Sequence, residues 1–268
     1  MVRLSVRAQA AAAEAVLAAL LELAPGGLEQ VDGSDFVEYS VYAPDGELDA
    51  LRDGHAELGG AAVQVRREQV PDDWSERWKR FHSPQLVGGR IYLRPPWEQP
   101  ALRPGLTEIV IDPGQAFGTG GHPTTRLCLE LMLGLEERGS FVDFGCGSGV
   151  LAIAAAKLGF RPVSALDADR EAVAATTANA LVNGVRLDSV ERFDLRGAAA
   201  TEADVVAANL MRPLLLRVAE LMRDRQPRAL IASGLLETEV DEVAAAFAPL
   251  GERGRRSEAG WSAALLAA

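Results

Sequence analysis

Hydrophobic and polar positions alternate with a period of two in "VRLSVRA" (2–8) and again in "FVEYSVYA" (36–43), the pattern of strands with one buried face. Between them "AAAEAVLAALLEL" (11–23) keeps an apolar helical face and stops at Pro25-Gly26-Gly27. "GELDALRDGHAEL" (46–58) predicts a second helix ending at Gly59-Gly60, and "AAVQVRREQV" (61–70) is extended. With a weakly marked strand in "GGLEQVDGS" (26–34), residues 1–70 read as βαββαβ, a small α+β ferredoxin-like domain.

The pattern then changes. Residues 71–100 hold three of the four Trp and five of the 14 Pro, and open with Trp74, Trp78 and Phe81 at i, i+4, i+7 of a short helix. They predict a linker whose aromatic stripe either packs on a neighbouring domain or touches substrate. Residues 101–268 form a third segment, in which from Phe141 onward strands and helices take turns. "FVDF", "PVSALD", "DVVAANL" and "RALIASG" are each followed by a helical stretch, and "ERGRRSEAGWSAALLAA" reads as an antiparallel pair. Such alternation predicts an α/β, Rossmann-like parallel sheet with helices on both faces and ligands at the carboxyl ends of its strands.

Composition narrows the chemistry. Of 268 residues, 48% are hydrophobic and 24% charged, enough to bury real cores. No apolar run is long enough to span a bilayer, and the first residues lack a secretory layout, so a cytoplasmic protein without membrane partners is expected. Two cysteines outside any CxxC spacing and three histidines predict reduced thiols and no metal site. A net charge of −11 argues against direct nucleic-acid binding and suits a basic partner.

Two glycine-rich stretches carry the candidate site. Gly145, Gly147 and Gly149 in "DFGCGSG" follow a strand and open a helix, where backbone N–H groups and a tight turn suit an anionic or electron-rich ligand. The dinucleotide spacing G-x-G-x-x-G fails at Val150, and no Gly-Lys-Ser/Thr appears. Asp167 ends the next strand 20 residues after Gly147, where an acid accepts hydrogen bonds from ribose hydroxyls. A nucleoside bearing a small carboxylate fits, and S-adenosyl-L-methionine is such a molecule; the alternative is a turn used only for helix–strand packing. Asn209 stands at the end of the fourth strand in "AANLMRP", where its side chain and the following backbone carbonyl, that of Leu210, can orient the N–H bonds of an amine; elsewhere such an Asn serves as a cap.

"DPGQAFGTGGHPTT" (112–125), "DFGCGSGVLAIAAAKLG", "ALDAD", the "NL" at 209–210 and the connector "WSERWKRFHS…IYLRPPWE" together resemble the bacterial ribosomal protein L11 methyltransferase family, from about Trp74 to the end. The resemblance implies a class I S-adenosylmethionine-dependent methyltransferase with a seven-stranded sheet and an N-terminal substrate-recognition domain. It implies N-methylation of lysine side chains and the N-terminal amine of ribosomal protein L11. A monomer is expected. Thr125, Gly145, Asp167 and Asn209 match the family's cofactor-binding positions, and the 112–125 segment would flank the cofactor as a lid. There Gly118 and Gly120 let the loop fold over, Phe117 offers a ring face, and Thr124 or Thr125 contributes a hydroxyl. His122 is open to two readings, a general base or a residue hydrogen-bonded within the loop. This chain departs from the family pattern at Gly121 and Ala168. Other targets remain as alternatives: RNA, disfavoured by charge; a glutamine amide, disfavoured because Leu210-Met211 follows Asn209 in place of Pro-Pro-Tyr; or a non-catalytic ribosome-docking module.

Overall fold

In a computed structural model the chain is described over residues 2–23, 28–33, 35–43, 51–69, 82–101, 103–113, 121–199 and 202–268. It divides into two units, Met1–Phe81 and His82–Ala268. In the first, β1 (Val2–Gln9), α1 (Ala13–Leu23), β2 (Glu29–Asp32), β3 (Phe36–Ala43), β4 (Gly54–Leu58) and β5 (Ala61–Gln69) build a five-stranded antiparallel sheet in the order β2-β3-β1-β5-β4. Alternation puts Val2, Leu4, Val6 and Ala8 of β1 and Val37, Tyr39 and Val41 of β3 on one face, and Val16 and Leu20 of α1 cover it. The Tyr39 hydroxyl donates to the Ala13 carbonyl at 2.9 Å, fastening that helix.

The helix expected over 46–58 is corrected in its described half, since Gly54–Leu58 is a strand and residues 44–50 lie outside the described part. Leu58 pairs with Ala61 across Gly59-Gly60, both at positive φ (61° and 75°), the two-residue turn that matches strand twist. The glycine pair reads equally as a helix stop or a hairpin turn, and the pairing of β4 with β5 decides for the hairpin. The described residues therefore carry a hairpin where βαββαβ calls for a second helix.

The second unit opens with a three-stranded sheet, β6 (Gln85–Val87), β7 (Ile91–Arg94) and β8 (Thr107–Val110), two of whose strands come from residues read above as linker. It continues through α2 (Pro123–Leu133), β9 (Phe141–Phe144), α3 (Val150–Leu158), β10 (Val163–Asp167), α4 (Arg170–Val182), β11 (Ser189–Arg192), β12 (Val205–Asn209), α5 (Arg212–Leu221), β13 (Ala229–Leu236), α6 (Val240–Ala246), β14 (Gly251–Glu258) and β15 (Trp261–Ala267). Seven of the strands form one sheet in the order β11-β10-β9-β12-β13-β15-β14, parallel except that β15 runs against both its neighbours. This is the α/β, Rossmann-like sheet that the alternation predicts. β9 is buried at all four positions because helices cover both faces of a central parallel strand. α2, α3 and α4 share one core with β6–β8, while α5 and α6 close the other face. The short edge strand β11, with two half-buried and two exposed residues, carries too little apolar signal to be read from sequence.

Candidate functional site

From β9 the chain crosses through α3 to β10 on one side, and from β12 it crosses through α5 to β13 on the other. The adjacent carboxyl ends of β9 and β12 are thus a topological switch point, the place where sheets of this kind bind their ligands. Gly145, Gly147 and Gly149 turn the chain there, at φ of 72°, 52° and 82°. Two of the three are closely covered: a Cβ on Gly149 would lie 2.8 Å from Thr176 Cγ2 and 3.0 Å from its Cα, and one on Gly145 would displace the tip of the Leu210 side chain. The amides of this turn are spent internally, contrary to the expectation that they stand open to a ligand. Gly145 and Cys146 both donate to the Leu166 carbonyl (2.8 and 3.0 Å), Gly149 to the Cys146 carbonyl (2.7 Å), and Gly147 to Asp167 Oδ2 (2.9 Å). The glycines serve close backbone approach more than anion capture.

Asp167, half-buried at the end of β10, accepts Gly147 N–H on one oxygen and Asp169 N–H (3.0 Å) on the other. A carboxylate offers about four acceptor positions, so two remain for hydroxyls of a ligand. Asn209 ends β12 beside this turn, and its Nδ2 lies 3.5 Å from Thr125 Oγ1, a contact spanning 84 residues of sequence. Thr125, Gly145, Asp167, Asn209 and Leu210 therefore converge, as do Gly147 and Gly149. Phe117, Gly118 and Gly120 lie outside the described residues.

Thr124 has another occupation. Buried at 1% exposure, its hydroxyl lies 2.8 Å from His122 Nδ1, and its N–H donates to the same atom at 3.3 Å, so His122 caps α2. Burial and then the Arg126 charge hold the His122 imidazolium below the usual histidine range. The ring also meets Trp261 edge-on, 5.0 Å between centroids. Arg126 donates to the Gly121 carbonyl and pairs with Glu258 at 2.6 Å. These contacts describe an anchor for the start of α2, the second of the two readings of His122.

A polar stripe on α4 completes the site. Thr176 Oγ1 donates to the Gly147 carbonyl (3.0 Å), Asn179 Nδ2 to the Ser148 carbonyl (2.9 Å), and Asp112 N–H donates to Asn179 Oδ1 (3.2 Å). Asn183 takes both backbone groups of Val110, at 2.9 and 2.6 Å. One helix face thus holds the glycine turn and the residues leading into the 112–125 segment. The signal was present as Thr176, Asn179 and Asn183 at i, i+3, i+7 in an alanine-rich helix, a polar stripe where a buried helix normally shows an apolar one.

Beneath the turn, Asp143 is fully buried, with Oδ2 accepting Ala152 N–H at 3.1 Å and Oδ1 without a partner among the described residues. Burial pushes its carboxyl up to about 7, the Ala152 hydrogen bond opposing and the Asp167 charge adding to the rise. Burial likewise pushes the Cys128 and Cys146 thiols up to about 12, leaving both as neutral hydrophobes. Among the described residues no cluster of His, Cys, Asp or Glu is arranged to hold a metal, and no helix is long and apolar enough to cross a membrane.

Comparison with known proteins sets this geometry beside one group. The family described as "Ribosomal protein L11 methyltransferase (PrmA)" matches residues 39–264. Proteins named ribosomal protein L11 methyltransferase are similar to this chain: that of Azotobacter vinelandii is 40% identical over 217 residues, covering 78% of this chain and 73% of its own. That of Shewanella halifaxensis is 41% identical over 193 residues (70% and 65%), and that of Caldanaerobacter subterraneus subsp. tengcongensis 36% over 189 residues (69% and 61%). The match to these last two spans less than two thirds of their length. The crystal structure of a ribosomal protein L11 methylase from Lactobacillus delbrueckii subsp. bulgaricus is similar at a TM-score of 0.62 and 25% identity, over 70% of this chain and 98% of that one.

Proposed function

The chain belongs to the ribosomal protein L11 methyltransferase family, and from that premise we propose that it transfers methyl groups from S-adenosyl-L-methionine to amino groups of ribosomal protein L11, both lysine side chains and the N-terminal amine. The observation that carries the reading is the meeting of Asp167, the Gly145–Gly149 turn and Asn209 at one switch point, with Thr125 brought against Asn209 from another part of the chain.

The residues fit such a cofactor. Asp167 keeps acceptor capacity for the ribose hydroxyls, and it sits beside a tight glycine turn at the carboxyl end of β9, where a nucleoside is bound in sheets of this kind. Bound there, S-adenosylmethionine supplies an electrophilic methyl group on a sulfonium.

The chain's own contribution is orientation and exclusion of water. The incoming amine must be neutral, since its lone pair attacks the carbon. The Asn209 side-chain oxygen and the Leu210 carbonyl accept its N–H bonds and aim that lone pair. No side chain is assigned as base; the proton leaves the ammonium to water as it docks. Methylation requires no covalent enzyme intermediate, and the neutral, buried Cys128 and Cys146 do not offer one.

The first unit is assigned to substrate recognition. With a net charge of −11 the protein suits a basic protein substrate and disfavours direct contact with nucleic acid. We place it in the cytoplasm as a monomer. Mass spectrometry of purified L11 after incubation with the protein and S-adenosylmethionine tests the reading: L11 gains mass in whole methyl increments at lysines and at its amino terminus. An unchanged L11 under conditions where the cofactor binds would overturn it.

A further inference from the structure

At the level where β12 ends in Asn209 and Leu210, the neighbouring strand β13 breaks its ladder. Asn209 pairs with Ser233, and the pairing of β13 with β15 shifts register between Ser233 and Leu235, so Gly234 stands out as a bulge. Gly234 has φ of 85°, and a Cβ there would lie 2.8 Å from the Leu210 carbonyl carbon and nearer still to its oxygen. Leu210 N–H donates to the Ser233 carbonyl at 3.0 Å. On the other flank, the tip of the Leu210 side chain packs over Gly145, where a Cβ would displace it. Leu210 is thus held between a glycine of the cofactor turn and a glycine of the bulge.

Ser233 extends this arrangement. It is fully buried, and its Oγ donates to the Thr124 carbonyl at 3.1 Å, with the Ser262 carbonyl at 3.4 Å as a second acceptor. Thr124 sits in the first turn of α2, and the next residue, Thr125, meets Asn209. The bulge therefore contacts both halves of the amine-orienting pair, Leu210 directly and Asn209 through the turn that carries Thr125.

We infer that the Ser233–Gly234 bulge is a positioning element for methyl transfer, which sets the direction of the Leu210 carbonyl and locks it to the Asn209–Thr125 contact. The inference rests on the methyltransferase reading above and adds two residues that touch neither cofactor nor amine. A bulge that served packing alone would explain the lack of space around Gly234 but would leave turnover insensitive to small displacements of Leu210.

The test pairs Gly234→Ala with Gly159→Ala. Gly159, at the far end of α3, also has a positive φ (96°) and open space around it, so both variants put an alanine at positive φ and only the first pushes on Leu210. For Gly234→Ala, kcat for L11 methylation is expected to fall about 100-fold while the Kd for S-adenosylhomocysteine stays within about three-fold of wild type, because a misplaced orienting group costs turnover rather than cofactor affinity. Gly159→Ala should keep the wild-type kcat. Equal kcat in the two variants would overturn the inference. Should Gly234→Ala fail to fold, Ser233→Ala decides: kcat reduced about ten-fold at unchanged cofactor Kd supports it, and an unchanged kcat overturns it. Failure of the underlying function would show separately, as wild-type protein that binds cofactor and leaves L11 unmethylated.

Discussion

Among the described residues, the two units of this chain differ in how many polar side chains they bury and in where those side chains gather. Of the nine buried Ser, Thr, Asn and Asp side chains among the described residues, only Ser40 belongs to the first unit, which also buries Tyr39. The other eight lie in the second, and Thr124, Thr125, Asp143, Ser148, Thr176, Asn179 and Ser233 all sit in or against the carboxyl edge of the seven-stranded sheet. Burying a polar group is costly unless it is hydrogen-bonded, so their concentration marks the region where backbone segments must be held in fixed relation. The first unit keeps a smaller network, in which Arg3 and Ser5 meet the buried Ser40 hydroxyl and Tyr39 holds the Ala13 carbonyl. Its core is an apolar face closed by α1, and its charges, such as the Arg7–Glu38 pair at 2.7 Å, stay at the surface. The difference accords with the proposal that the second unit carries the chemistry and the first recognises substrate.

Breaking the orienting side chain should do the most. Asn209→Ala is expected to lower kcat roughly 100-fold or more, with a smaller loss of cofactor affinity, as steady-state kinetics alongside calorimetry would show. Asp167→Ala, which removes a charged acceptor, should weaken S-adenosylmethionine binding by about 10- to 100-fold in a calorimetric titration. Asn179→Ala leaves the Ser148 carbonyl and the Asp112 N–H without their partner and should cost about 1–3 kcal/mol in denaturant unfolding of the second unit.

The pH dependence sharpens the contrast further. Because the Asp143 carboxyl is raised to about 7 in the fold, the native state binds the extra proton between the unfolded pKa near 4 and that value. Stability attributable to this group is therefore lost as pH climbs through that window, by about 1 kcal/mol per pH unit, and is flat above it. Asp143→Asn should remove the slope, which thermal melts at several pH values would register. The smallest effect belongs to the first unit: Tyr39→Phe deletes the bond to Ala13 and should cost about 1 kcal/mol there while leaving cofactor affinity unchanged. A loss of cofactor binding in that variant would contradict the division of labour.

The strand–helix alternation from Phe141 onward was legible because each β-strand is short, apolar and followed by an unbroken helical stretch. The positions of Gly145, just past β9, and of Asp167 and Asn209, at the ends of β10 and β12, were legible for the same reason, since the pattern marks each of those strands. What could not be read depended on partners distant in sequence. Gly59-Gly60 signals a stop without saying whether a helix or a strand stops there, and only pairing with β5 settles it. The commitment of the turn's amides to Leu166 and Asp167, and the hold of Asn179 on Asp112 across 67 residues, are tertiary facts with no local spelling. Gly234 looks like any strand-end glycine until Leu210 is found against it.

The central claim is that the crevice between the ends of β10, β9 and β12 holds the cofactor's nucleoside. A crystal structure of the protein grown with S-adenosylhomocysteine tests it most directly. The ribose hydroxyls should lie within hydrogen-bond distance of Asp167 and the sulfur should face Asn209. Ligand density elsewhere, with Asp167 and the glycine turn untouched at saturating concentration, would contradict the account.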